Sequence, residues 1–168
     1  HNVTWLKSIS QVATKNNIFL ANEVFDALPV KQFIKNNNSW FEMHVKKNSK
    51  EKYEQINIKK NISQIEKKFD INFGKGQELI EFSTESYLMI SKISKKIKNS
   101  KSGLLIIDYG STSEKMLNSI QAINKHKYVS IFDKPYLSDI SYCPNFNLLK
   151  KIVKKNNLFV NGITTQKE

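Results

Sequence analysis

Hydrophobic and polar positions along this chain repeat with two periods, and together they predict its elements. Ile18 to Ala21 (IFLA) and Leu104 to Ile107 (LLII) are short, near-continuous apolar runs, the pattern of strands covered on both faces in a parallel sheet. Val3 to Trp5 and Leu158 to Ile163 are β-prone and are expected to be strands too. VKQFI and WFEMHV flank the polar NNNS, which reads as a β-hairpin with an Asn-rich turn. Tyr53 to Ile58 alternates like a strand, and Asn61 to Phe69 has room for a helical turn or two. The charge pattern over 48–76 suggests a solvated insertion, so 30–76 is expected to be a hairpin plus a variable insertion within one domain.

After a short strand at Glu78 to Phe82, the period changes. Ser83 can cap a helix, and Tyr87, Ile90, Ile93, Ser94 and Ile97 recur at helical spacing. Lysines gather at its carbonyl end, where positive charge is favoured, and Gly103 lies beyond them. Further on come a strand at Ser119 to Ile123, a polar loop through Pro135 and Asp139, and a helix near Asn145 to Lys155. Strands alternating with helices make the class α/β with a β-hairpin insertion.

Composition changes the picture mainly for function. The chain has 168 residues and is 39% hydrophobic, enough for one domain with an apolar core or a piece of a larger one. A formal charge of +12 invites a nucleic-acid reading, since cations that neutralise phosphates dominate such affinity. All 27 basic residues are Lys, however, although Arg is the residue that bidentate recognition favours. The lysines are also dispersed, without interleaved aromatics. With 19 Asn, 20 Ile and only four Ala, the charge follows an AT-rich codon bias, and no nucleic-acid partner is expected. The single cysteine, Cys143, excludes an intrachain disulfide and has no basic neighbour that would mark an activated thiolate. The three His residues lack paired metal-ligand spacings, so no metal is expected, and no apolar stretch is long enough for a membrane span. The chain opens on His1 and closes soon after a β-prone segment, as expected of a fragment.

Each of the two apolar runs ends near carboxylates. Asn22, Glu23 and Asp26 follow the first, and Asp108 and Tyr109 follow the second. In an open parallel sheet, ligands bind outside the carboxyl ends of the strands. A purely structural alternative stands beside this: Glu23 capping a short helix, and Asp108 opening a turn in which Gly110 supplies backbone freedom.

The run IFLANEVFDALPVKQFI, then Trp40, LLIIDYG, SIQAINKHKYV, SDISYCPNF and NGITTQ resembles, in order and spacing, the MidA-like family of S-adenosylmethionine-dependent methyltransferases. The mitochondrial member of that family is a complex I assembly factor and protein arginine methyltransferase. The resemblance covers nearly the whole chain except 48–76. It implies a Rossmann-like class I methyltransferase fold, incomplete because the first strands are missing, with this chain forming its C-terminal part.

The resemblance also implies roles. Trp5, Leu6 and Ser8 would lie in the loop against the adenine of S-adenosylmethionine, and Asn22 would reach the cofactor at the end of a strand. Glu23 and then Asp26 would pair with and orient a guanidinium acceptor, with Asp108 and Tyr109 beside the acceptor channel. Gln121 and His126 match the family's later segments and would bind substrate. The implied partner is a protein substrate, such as a complex I subunit, in the mitochondrial matrix or a bacterial cytoplasm. Two other readings stay open: a non-catalytic assembly protein on the same fold, and a Lys-rich nucleic-acid-binding module.

Overall fold

The structure, a computed structural model, describes residues 2–133 and 135–167. β1 (Ile18–Asn22) and β6 (Gly103–Ile107) form a parallel pair in the register Ile18 to Gly103 through Asn22 to Ile107. Between them in sequence lie β2 (Lys31–Asn36), β3 (Ser39–Lys47), β4 (Tyr53–Lys60), α1 (Ile62–Phe69), β5 (Leu79–Phe82) and α2 (Thr84–Ile97). After β6 come β7 (Gln121–Asn124), β8 (Lys127–Val129), β9 (Asp139–Ser141) and α3 (Phe146–Lys155). The architecture is mixed α/β.

The antiparallel strands make two further sheets, ordered β4-β3-β2-β5 and β8-β7-β9. The hairpin β2–β3 turns on Asn37 and Asn38, both in the left-handed region at φ 46° and 60°, where Asn is better tolerated than most side chains. β2 also pairs with β5, with Phe33 opposite Ile80, so the hairpin is joined edge to edge with the chain that follows it.

The solvated character expected of 48–76 holds for the exposed strand β4 and fails beyond it. Ile62, Phe69, Ile71 and Phe73 are buried in the main core with Phe25, Phe33, Ile80, Phe82, Ile90, Leu148, Leu149 and Ile152. Phe69 and Phe73 lie against Phe82 with ring centroids 4.8 Å apart in each pair, and Phe69 meets Tyr87 edge-on. Charge masked this because α1 is amphipathic: its lysines face water while Ile62 and Phe69 face inward.

α2 follows the expected pattern. The Ser83 hydroxyl accepts from the Ser86 amide at 3.1 Å, Lys95 and Lys96 occupy the last turn, and Ile90, Ile93 and Ile97 are buried. The chain leaves the helix through Asn99 at φ 64°, and Gly103 instead begins β6.

Two expected strands are absent. Val3 to Trp5 is irregular, with Trp5 92% exposed. Leu158 to Ile163 is irregular as well, the Leu158 amide bonding back to the Val153 carbonyl at the end of α3. β-prone residues become a strand only when they pair with a sheet edge, and among the described residues neither segment is paired with one. Coverage of β1 and β6 on both faces is likewise not found. Ala21, Leu104 and Ile106 face the core, while Ile18, Leu20, Leu105 and Ile107 are exposed. β8 and β9, short and polar, gave no apolar signal.

Candidate active site

The parallel register brings the ends of β1 and β6 together and, with them, the carboxylates that follow. The Glu23 amide donates to the Ile107 carbonyl at 2.8 Å, and Glu23 turns the chain at φ 48°. Asp108 Oδ2 accepts from the backbone amides of Phe25 (2.8 Å) and Asp26 (3.2 Å), so the turn after β1 is tied to the residue after β6. Asp26 is buried, and its carbonyl accepts from the Tyr142 amide at 3.1 Å. Asp26 Oδ1 and Asp108 Oδ1 are both buried without a hydrogen-bond partner. Buried polar atoms are nearly always paired, and two unpartnered carboxylate oxygens at one site call for a donor. Burial raises the Asp108 pKa, the backbone N–H groups of Asp26, Phe25 and Tyr109 oppose that rise, and the neighbouring Asp26 charge adds to it. The charge of Glu23, ahead of other causes, raises the pKa of the exposed Tyr109 phenol.

Beside these groups lies a cavity of about 380 Å³ lined by Tyr109, Asn118, Ser119, Ile120, Gln121, Tyr128, Tyr142 and Cys143. Burial pushes the Tyr142 phenol and the Cys143 thiol up, and the charges of Glu81 and Asp108 push both the same way. Cys143 is therefore a neutral part of the wall. A larger space of about 650 Å³, between Trp40, Lys59, Lys60, Ser63, Asn72 and Lys75, shares no lining residue with it and includes none of the strand-end carboxylates.

The structure thus brings Glu23, Asp26, Asp108 and Tyr109 together at the strand ends and places Tyr109 and Gln121 in one cavity. Gln121 Nε2 also donates to the Ser141 hydroxyl at 3.3 Å. His126 is not brought to this cavity. It occupies the β7–β8 turn with Lys125, both at positive φ, and is exposed. Asn22 is exposed at the end of β1, and Trp5 and Leu6 form an exposed apolar step. Ser8 caps a short 3-10 turn over Ile9–Gln11, its hydroxyl accepting from the Ser10 amide and hydroxyl.

Gly110 has a reason other than the one expected. Its φ is not positive, but a Cβ there would overlap the Phe146 ring, so glycine gives α3 room to approach β6. Reading by segment missed Glu81, Gln32, Ser119 and Tyr142. Glu81 carried a signal, a carboxylate set inside the apolar strand Leu79–Phe82, where an unpaired charge is costly.

Residues 1–164 match a protein family described as "Putative S-adenosyl-L-methionine-dependent methyltransferase". The chain belongs to this family. Its relatives include proteins named as protein arginine methyltransferases. The chain is 29% identical over 174 residues to "Protein arginine methyltransferase NDUFAF7 homolog, mitochondrial" of Caenorhabditis elegans, with 99% of this chain and 39% of that protein covered. It is 24% identical over 162 residues to the Danio rerio protein arginine methyltransferase NDUFAF7, mitochondrial, covering 96% and 38%. Two solved structures from Burkholderia thailandensis share the fold: one, bound to S-adenosyl-homocysteine, at TM-score 0.70 and 15% identity, and a native one at 0.73 and 17%. Each match covers 91% of this chain, and 40% and 42% of the respective solved chains. The methyltransferase-family segment described here spans about two fifths of the length of these relatives.

Proposed function

We propose that the protein containing this segment transfers a methyl group from S-adenosylmethionine to an arginine side chain of another protein, with a subunit of respiratory complex I as the acceptor. The single observation that carries the reading is the pair of unpartnered buried oxygens, Asp26 Oδ1 and Asp108 Oδ1, set with Glu23 beside a tyrosine-lined cavity. A guanidinium is planar, permanently charged and rich in N–H donors, and it is the kind of group that two such oxygens lack. Membership of the family, and relatives named as mitochondrial protein arginine methyltransferases, support the same reading. Those names also favour the mitochondrial matrix over a bacterial cytoplasm. Among the described residues no helix is long and apolar enough to cross a membrane, and no group of three or more His, Cys, Asp or Glu is placed to hold a metal ion.

The residues present fit part of the cofactor's needs. Trp5 and Leu6 offer an exposed apolar surface for the adenine ring, and Asn22 offers a polar group where β1 ends. Ser8 accepts in its capping bonds and keeps its own hydroxyl proton to donate beside them. The cofactor supplies an electrophilic methyl on a sulfonium whose leaving thioether is neutral, so the protein's task is mainly positioning. Glu23 and then Asp26 pair with the guanidinium and aim one nitrogen, the Asp108 oxygen takes a further N–H, and the three carboxylates favour the positive charge that shifts toward the acceptor. Tyr109, held protonated, forms a wall of the channel and keeps its hydroxyl against Glu23. Gln121 contacts the acceptor chain deeper in the cavity. His126 is assigned no part.

The test uses the full-length protein, with calorimetry against S-adenosylmethionine and labelled methyl transfer to an arginine-containing peptide. Glu23→Gln should bind cofactor as the wild type does and lose transfer on the order of a hundredfold. Full transfer by that variant would remove Glu23 as the anchor, and absence of cofactor binding by the wild type would remove the reading as a whole.

A further inference from the structure

Glu81 sits on β5 between two fully buried neighbours, Ile80 and Phe82, and is itself only 6% exposed. A buried carboxylate is normally matched by a cation. Here the partners are neutral. Glu81 Oε1 accepts from Gln32 Nε2 at 2.7 Å and from the Ser119 amide at 2.9 Å, and Oε2 accepts from the Ser119 hydroxyl. With its proton directed at Glu81, that hydroxyl is free to accept, and it accepts from the Cys143 amide at 2.9 Å. Gln32 Nε2 also donates to Asn118 Oδ1 at 2.7 Å. Asn118, Ser119 and Cys143 are all cavity-lining residues, and they lie just beyond the end of the β7–β9 pair, where the ladder stops at Gln121 opposite Ser141 and the Ser119 hydroxyl takes over the link to Cys143.

We propose that Glu81 is a positioning residue of the acceptor cavity, whose buried carboxylate fixes the 118–119 segment against Cys143 where the β7–β9 pairing has ended and makes that wall select a cationic side chain. The inference rests on the arginine-methylation reading above and deepens it. Two effects follow from one group. As an acceptor for three donors, Glu81 orders residues 118–119, which belong to no strand or helix. As a buried carboxylate without a cation of its own, bonded directly to the cavity-lining Ser119, it biases the cavity toward positive ligands. A separate tether leaves room for mutation. Gln77 accepts from the Met116 amide and donates to the Glu114 carbonyl, so the preceding stretch stays attached to the core whatever occupies position 81.

The experiment uses the full-length protein with S-adenosylmethionine, an arginine-containing peptide as acceptor, and the same peptide with citrulline, its neutral isostere, as competitor. Glu81→Gln keeps the shape, removes the charge and reverses one hydrogen bond. It should raise KM for the arginine peptide on the order of tenfold, leave kcat within about threefold and cofactor affinity unchanged, and narrow the preference for arginine over citrulline. Ser119→Ala cuts the link to Cys143 and keeps the charge. It should raise KM while the arginine preference stays. An unchanged KM and preference in a folded Glu81→Gln protein would overturn the proposal. Should that variant not fold, an unchanged KM in Ser119→Ala overturns it instead. A wild-type protein that binds cofactor but never methylates arginine sinks the functional reading, and Glu81's role falls with it. Normal wild-type activity with indifferent variants sinks the role of Glu81 alone.

Discussion

The carboxylate of Asp108 receives the backbone amide of Phe25 at 2.8 Å and that of Asp26 at 3.2 Å, so the residue after one parallel strand holds the turn after the other. Asp108→Ala leaves those two donors without an acceptor and should cost about 2–3 kcal/mol in denaturant unfolding. Asp108→Asn keeps an oxygen in place and should cost about 1 kcal/mol or less at neutral pH. The comparison is pH-dependent with a definite sign. Because the folded pKa of Asp108 is raised, its contribution is fully present below the ordinary carboxylate value of about 3.9 and declines as pH climbs through the folded value. The advantage of the wild type over Asp108→Asn should therefore shrink as pH rises from about 4, as read from urea midpoints.

Glu42 behaves in the opposite sense. Its side chain on β3 is 5% exposed and pairs with Lys31 and Lys60 at 2.5 and 3.2 Å, with His44 also nearby. Burial alone would raise its pKa, but the hydrogen bonds from the two lysines and the charges of Lys31 and His44 outweigh burial and lower it. A lowered folded pKa stabilises above the unfolded value and is lost as pH falls through the folded one. Stability should thus drop below about pH 4.5, and Glu42→Gln should flatten that drop while costing about 1–3 kcal/mol at pH 7.

Gly110→Ala drives a methyl group into the Phe146 ring, with the Pro144 carbonyl 3.2 Å away on another side. The expected loss is about 1–3 kcal/mol, read as a lower midpoint in thermal melts. Phe146→Leu, which removes the atoms in the way, should recover part of it in the double variant. An unaltered melt for Gly110→Ala would mean that α3 does not pack here as described.

The caps of α1 and α3 separate two kinds of asparagine. Asn145 accepts from the Leu148 amide at 2.9 Å and donates to the Ser113 carbonyl, whereas Asn61 makes no side-chain cap bond. Asn145→Ala should cost about 1–2 kcal/mol and Asn61→Ala only a few tenths, compared by chemical denaturation.

Much of the chain's local organisation was readable because it depends on near neighbours. The Ser83 cap and the isoleucines of α2 sit within one helix, and the Asn37–Asn38 turn is set by two residues that tolerate positive φ. The carboxylates at Glu23, Asp26 and Asp108 were readable for a similar reason, since each follows an apolar run by a few positions. Where propensity misled, the cause was the reverse: Val3 to Trp5 and Leu158 to Ile163 have strand-forming residues but pair with no sheet edge among the described residues. His126, which the resemblance put at the substrate, lies in the β7–β8 turn, a place that the polar segment by itself did not indicate.

From the sequence alone, then, came the α/β class, the two apolar strands with acid at their ends, and the family resemblance. Tertiary structure alone decided that Asp108 would hold Phe25 and Asp26 across 83 and 82 residues, that Gly110 would yield space to Phe146, and that Glu81 would face Gln32 and Ser119. Periodicity reports which face of an element is apolar. It does not report which distant donor will meet a buried carboxylate, because that depends on the register and packing of strands far apart in the chain.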